Sequence, residues 1–121
     1  TLTHYLFKDS KTNTVTVSDK KTASNKTIIT KYHVLRTDGT LTLAEIELMT
    51  GRTHQIRVHM AYIGHPVLGD DVYGKPFKGI DGQCLHAGKI GFVHPITYEY
   101  MEFESELPQY FHQVLEKVRR L

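Results

Sequence analysis

Short β-like runs, polar loops and two helix-patterned stretches alternate along the chain, and the period of the apolar positions separates them. Residues 3–8 and 14–17 have strand composition around the turn-rich KDSKTN, while SDKKTASNK (18–26) has no apolar period and reads as a loop. TIITKYHVLRT (27–37) and TLTLAEIELMT (40–50) are β-rich runs joined by Asp38-Gly39. That dipeptide predicts a hairpin with a type I′ turn, which needs positive φ at both central residues. The second run changes parity, because Leu41 and Leu43 are odd whereas Ile46 and Leu48 are even. A strand of period two cannot do this and keep one face dry, so either a bulge lies near Ala44 or both faces are buried.

The period then switches to a helical one. Over residues 53–63, His54, Arg57 and Ala61 share one face, and Ile56, Met60 and Ile63 share another. Gly64 is a natural stop and Pro66 closes off further helix. GHPVLGDDVYGKPFKG follows as loop, QCLHAGKIGFVHP (83–95) as a strand and TYEYMEFES (97–105) as another. Pro108 predicts the start of a final helix, QYFHQVLEKVRRL, with Phe111, Val114, Leu115 and Val118 as its apolar stripe. The expected fold is α+β: a mostly antiparallel mixed sheet, a central helix after the TGRTHQIR strand, and a C-terminal helix.

Composition narrows this picture. A length of 121 residues with 40% hydrophobic content fits one domain or part of a larger one. The chain opens inside a strand-like run, THYLF, with no initiator Met, so residues 1–121 are expected to be the C-terminal portion of a single truncated domain. A missing part of the sheet would leave an open edge, and self-association through that edge is expected. No run of about 18 apolar residues exists, so no transmembrane helix is expected. The N-terminus lacks the apolar core of a signal peptide, and the lone Cys84 fits a reducing cytoplasm.

Net charge is +2 but uneven. Residues 1–31 hold six lysines against Asp9 and Asp19, whereas the remainder holds 9 basic and 11 acidic residues. The lysine-rich stretch suits either a polyanion such as RNA or a solvated, lysine-protected edge.

The residues that could carry chemistry crowd into Thr50–Asp70, with two arginines, three histidines and a glutamine. Arg57, beside the small Ala61 and near Gly64, could extend into a cleft and hold a carboxylate or phosphate bidentately; the alternative is a surface salt bridge. Arg52 lies just before the helix, where free N–H groups favour an anion; a plain surface charge is equally consistent. His54 and Gln55 suit base edges and sugar hydroxyls, or the bracing of a loop. Metal ligation has no support, since His54 and His59 stand five apart, not four, and neither CxxC nor HExxH occurs.

TGRTHQIRVHMAYIGHPVLGD, followed by Val72-Tyr73-Gly74, resembles the C-terminal signature block of the RluA-type pseudouridine synthases. Leu85-His86-Ala87 with Phe92, His94 and Pro95 is similar to that family's LHA…F-HP strand, and Leu107, Pro108 and Phe111 fit its LP-x-x-F ending. The likeness covers roughly the last 90 residues closely and the first 30 loosely. It implies part of a catalytic domain that isomerises uridine to pseudouridine in structured rRNA or tRNA without a cofactor, after flipping the target base out of its stack. It also implies that Arg57 pairs with a nucleophilic aspartate and keeps it ionised. Arg52, His54, Gln55, Leu85 and His86 are then the expected substrate-binding residues.

One departure is decisive for what this chain can do. The family's nucleophile sits in an HRLD motif, and that tetrapeptide is absent; Arg36-Thr37-Asp38 is not a substitute, because its aspartate belongs to the hairpin turn. The family's active-site tyrosine, from a K-x-Y motif, is also absent, since Tyr5 and Tyr32 lie in other contexts. The chain is therefore expected to be inactive alone. A stand-alone RNA-binding module built on the synthase scaffold is the alternative.

Overall fold

The computed structural model describes residues 1–119, with side chains through Glu116. Four antiparallel strands form the main sheet: β1 (Leu2–Asp9), β2 (Thr14–Ser18), β3 (Lys26–Thr37) and β4 (Thr42–Leu48), in the order β2-β1-β3-β4. Helix α1 (Gln55–Tyr62) follows, then a separate hairpin of β5 (Lys89–Val93) and β6 (Tyr100–Glu104), then α2 (Gln109–Arg119). The α+β class and antiparallel pairing are as expected, but the strands form two sheets and no parallel pair occurs among the described residues. Val118 of the expected α2 stripe lies outside the described side chains.

Pairing of Leu6 with Val17, and of His4 with Ile28, puts His4 and Leu6, Val15 and Val17, and Ile28 and Thr30 on one face of the sheet. Helix α1 covers this face and inserts Val58 among Leu6, Val15 and Ile28, with Val17 and Tyr73 packed around them. The core is small, and half of the helix surface that enters it is polar. Gln55 and His59 are buried beside Val58, whereas the expected apolar face has only Met60 buried. Apolar residues alone therefore misassign the face, because the true one alternates amide, valine and imidazole at i, i+3 and i+4.

Several expectations need correction. The Asp38-Gly39 hairpin exists, but Thr37 pairs with Thr42, which leaves a four-residue loop and not a two-residue type I′ turn. Only Gly39 of the pair has positive φ, at 86°. The Asp38 carboxylate closes the loop by accepting the N–H groups of Leu41 (2.6 Å) and Thr40 (2.7 Å), which hold its pKa below the ordinary value. A bulge does lie opposite Ala44, but β3 carries the extra residue, since the register shifts between Val34 and Arg36; β4 keeps its alternation, so Leu43 and Ile46 lie on opposite faces, each partly buried.

TGRTHQIR is not a strand, because β4 ends at Leu48 and α1 starts within the run, at Gln55. The helix closes as its sequence predicts. Gly64 takes φ 87°, its N–H reaches Ala61 O (3.0 Å), and His65 N–H reaches Met60 O (2.9 Å), the paired bonds of a Schellman ending. Residues 83–88, expected in a strand, have no ladder partners and form a loop, with β5 starting only at Lys89. No helix among the described residues is long and apolar enough to cross a membrane.

Candidate active site

The site grows from the turn before α1. Thr50 caps the sheet by accepting Ile29 N–H (2.9 Å) and donates its hydroxyl to Gln55 Oε1 (2.9 Å). That same Oε1 accepts Arg52 N–H (3.0 Å), so the side chain at the first helical position folds back over the loop. Gln55 Nε2 donates to Ile29 O (3.1 Å) and to Thr30 Oγ1 (3.0 Å). All four hydrogen-bonding positions of the buried amide are filled, which fits the bracing alternative for Gln55. His54 precedes it in the left-handed region, φ 53°, and makes no side-chain capping bond to the helix.

Arg57 lies one turn further on and meets a carboxylate of this chain. Its Nε donates to Asp70 Oδ2 at 2.9 Å and its Nη2 to Asp70 Oδ1 at 3.0 Å, a bidentate pair. Oδ1 also accepts the N–H groups of Val72 and Tyr73, both at 3.1 Å. The Asp70 side chain is 0% exposed and that of Arg57 13% exposed. Burial alone would raise the Asp70 pKa; the arginine and the two backbone donors overcome it and hold the carboxyl below its ordinary value. The hydrogen bond to Asp70 in turn raises Arg57. The pair is permanently ionic.

Tyr73 completes the cluster. Its ring lies under the Arg57 guanidinium, 5.3 Å from the centroid. Its hydroxyl accepts Val15 N–H (3.2 Å) and lies 2.8 Å from His54 Nδ1. His54 and Arg57 thus meet on one tyrosine. The segment before Leu85 and His86 is tied to the loop that carries Asp70 by Cys84 N–H, which donates to Leu68 O (2.7 Å), and no contact of Leu85 or His86 with the Arg57 cluster is seen among the described residues. His86 Nε2 is buried with no partner among the described residues. Arg52 is exposed at the helix entrance.

A second polar chain runs beneath the helix. Thr30 Oγ1, which accepts from Gln55, lies 2.8 Å from His59 Nδ1, and His59 Nε2 lies 2.8 Å from His4 Nδ1. Burial, and then the neighbouring His4, lower the His59 pKa to about 4, so the ring is neutral at ordinary pH.

Asp70, Tyr73, Thr30 and His4 were not singled out by sequence reasoning. Asp70 and Tyr73 do lie in the signature run, but nothing in the spacing from Arg57 to Asp70 announces that loop 67–73 folds back onto the helix. No group of three or more His, Cys, Asp or Glu among the described residues is arranged to hold a metal ion.

This arrangement has clear relatives. The family model for RNA pseudouridylate synthase matches residues 1–62, which includes the strands whose sequence likeness was loose and the arginine helix. The chain is 52% identical over 101 residues to the RNA pseudouridine synthase YlyB of Bacillus subtilis, covering 82% of this chain and 33% of that protein. It is 43% identical over 88 residues to YjbO of the same organism, covering 73% and 31%. To ribosomal large subunit pseudouridine synthase D of Zymomonas mobilis it is 42% identical over 93 residues, covering 69% and 29%. The chain belongs to the RNA pseudouridylate synthase family, as an RluA-type member. It spans about a third of the length of these relatives.

Proposed function

We propose that this chain is the C-terminal part of a catalytic domain whose complete protein isomerises uridine to pseudouridine in structured RNA. The observation that carries this reading is the rigidly held Arg57. Asp70 takes its Nε and one Nη2 hydrogen, while the side chain keeps 13% exposure. A guanidinium has five N–H donors, so Arg57 retains hydrogens for a second carboxylate. That second carboxylate is the nucleophilic aspartate, supplied by polypeptide outside residues 1–121. Asp70 cannot fill the role, because it is fully buried and its oxygens already accept four N–H groups. Alone, the chain is inactive.

Substrate contacts are assigned to Arg52 for phosphate and to His54, Leu85 and His86 for the target nucleoside, with Gln55 shaping the loop that presents them. The exposed Arg52 and the buried, unpartnered His86 Nε2 support this assignment. The name of the Zymomonas relative favours ribosomal RNA over transfer RNA. The setting is cytoplasmic and the reaction needs no cofactor. Self-association of the isolated chain belongs to the same reading. The sheet ends in two unpaired edges, β2 and β4, and Tyr32, Val34, Leu35, Leu48 and Met49 are exposed on or beside β3 and β4. A purely monomeric chain at high concentration, by sedimentation, contradicts it.

Release of tritium from RNA labelled at uridine C5 tests the main proposal. The complete gene product should release it, Arg57→Ala should lower the rate by at least about a hundredfold, and the 121-residue chain should release none. Turnover by the isolated chain would refute its inactivity. A complete product that binds RNA but never releases tritium would make the protein a binding module.

A further inference from the structure

We propose that Asp70 and Tyr73 form a preassembled cradle that orients Arg57 for the reaction, Asp70 being a positioning residue that acts only through the arginine. The inference rests on the synthase reading above and adds to it the residues that fix the arginine before any partner carboxylate arrives.

The geometry is that of a holder. An arginine side chain has four rotatable bonds, and fixing it on encounter with the reacting groups costs entropy within the catalytic step. Here the cost is met during folding. Asp70 grips one edge of the guanidinium through two bonds of 2.9 and 3.0 Å, and Tyr73 supports its face at 5.3 Å. The holder is itself held, by the N–H groups of Val72 and Tyr73 on Oδ1 and by Val15 N–H on the Tyr73 hydroxyl. Gly69 makes the approach feasible. It takes φ 79°, and a Cβ there would collide with the Gly82 carbonyl oxygen and the Ile80 side chain. Charge gives the second argument. A lone buried arginine would bind any carboxylate strongly; paired with Asp70, it presents a nearly neutral unit that aligns an incoming carboxylate through hydrogen bonds without quenching it as a nucleophile.

Single-turnover tritium release at saturating RNA, on the complete gene product, decides this. Asp70→Asn, which puts an amide donor against the arginine, should slow the rate at least about tenfold while the RNA concentration for half-saturation stays within about twofold. Tyr73→Leu should slow it several-fold. In an Arg57→Lys background, which has no fork to hold, Asp70→Asn should change the rate that the lysine supports by less than about twofold. An independent readout is the Arg57 Nε–H resonance in nitrogen-15 spectra, assigned by its loss in Arg57→Lys. It should exchange slowly in the wild type and rapidly in Asp70→Asn.

Wild-type turnover by Asp70→Asn, or a full additional loss in the Arg57→Lys background, overturns the cradle. If Asp70→Asn does not fold, Tyr73→Leu decides, and an unchanged rate there overturns it. Failure of the synthase reading looks different: the wild type has no turnover, while the protected Nε–H resonance is still seen.

Discussion

His59 is the buried group whose perturbation gives the sharpest measurable consequence. Its ring is 0% exposed and wedged between Thr30 Oγ1 and His4 Nδ1, and its pKa falls from 6.5 to about 4. The unfolded chain therefore binds a proton near pH 6.5 that the folded chain refuses until about pH 4. The sign follows directly. Stability from the neutral ring is complete above pH 6.5 and is lost as pH falls toward 4. At about 1.4 kcal/mol per unit, the loss is about 3 kcal/mol, a large share of a small domain's stability. Urea unfolding of the complete gene product at pH 7, 6, 5 and 4 measures it, with His59→Gln as reference. Gln can accept from Thr30 and donate toward His4 without titrating. The wild type should lose about 3 kcal/mol more than His59→Gln across this window. Carboxylates such as Asp70, whose pKa is lowered, contribute mainly below it. Parallel pH dependences for the two proteins would refute the reasoning.

Two further outcomes test the scaffold. Gln55→Leu keeps the volume but strands Ile29 O, Thr30 Oγ1 and Arg52 N–H, and should cost about 2–4 kcal/mol in denaturant unfolding. Gly69→Ala must place a Cβ at φ 79° against the Gly82 carbonyl; the left-handed conformation alone costs about 1–2 kcal/mol, and the melting temperature should fall by several degrees.

Much of the architecture was legible because it rests on local rules. The β3–β4 hairpin and the Gly64 ending each follow from period and turn chemistry within a few residues. What was not legible depends on partners far along the chain. The α1 face facing the sheet was missed because Gln55 and His59 are polar, and they become core residues only by meeting Thr30, Ile29 and His4. Residues 83–88 looked like strand because Leu85 and His86 precede a β-rich run, yet Cys84 N–H goes to Leu68 O in a loop and not to a neighbouring strand. Side-chain type and motif single out Arg57, whereas its bond to Asp70 was not legible, since it needs loop 67–73 to turn back on the helix.

The Tyr73 hydroxyl has a consequence for the order in which the protein assembles. It bonds Val15, 58 residues upstream, and His54, 19 residues upstream. Such a contact can close only after β2 has joined β1 and α1 has settled on the sheet, because loop-closure entropy opposes it until both are in place. Seating of the Tyr73 hydroxyl is therefore expected late in folding, and it reports on everything that came before. A variant with a weakened sheet could retain its helices and most of its strands while the tyrosine lets go, and the Arg57 guanidinium would lose its aromatic support well before the fold was lost.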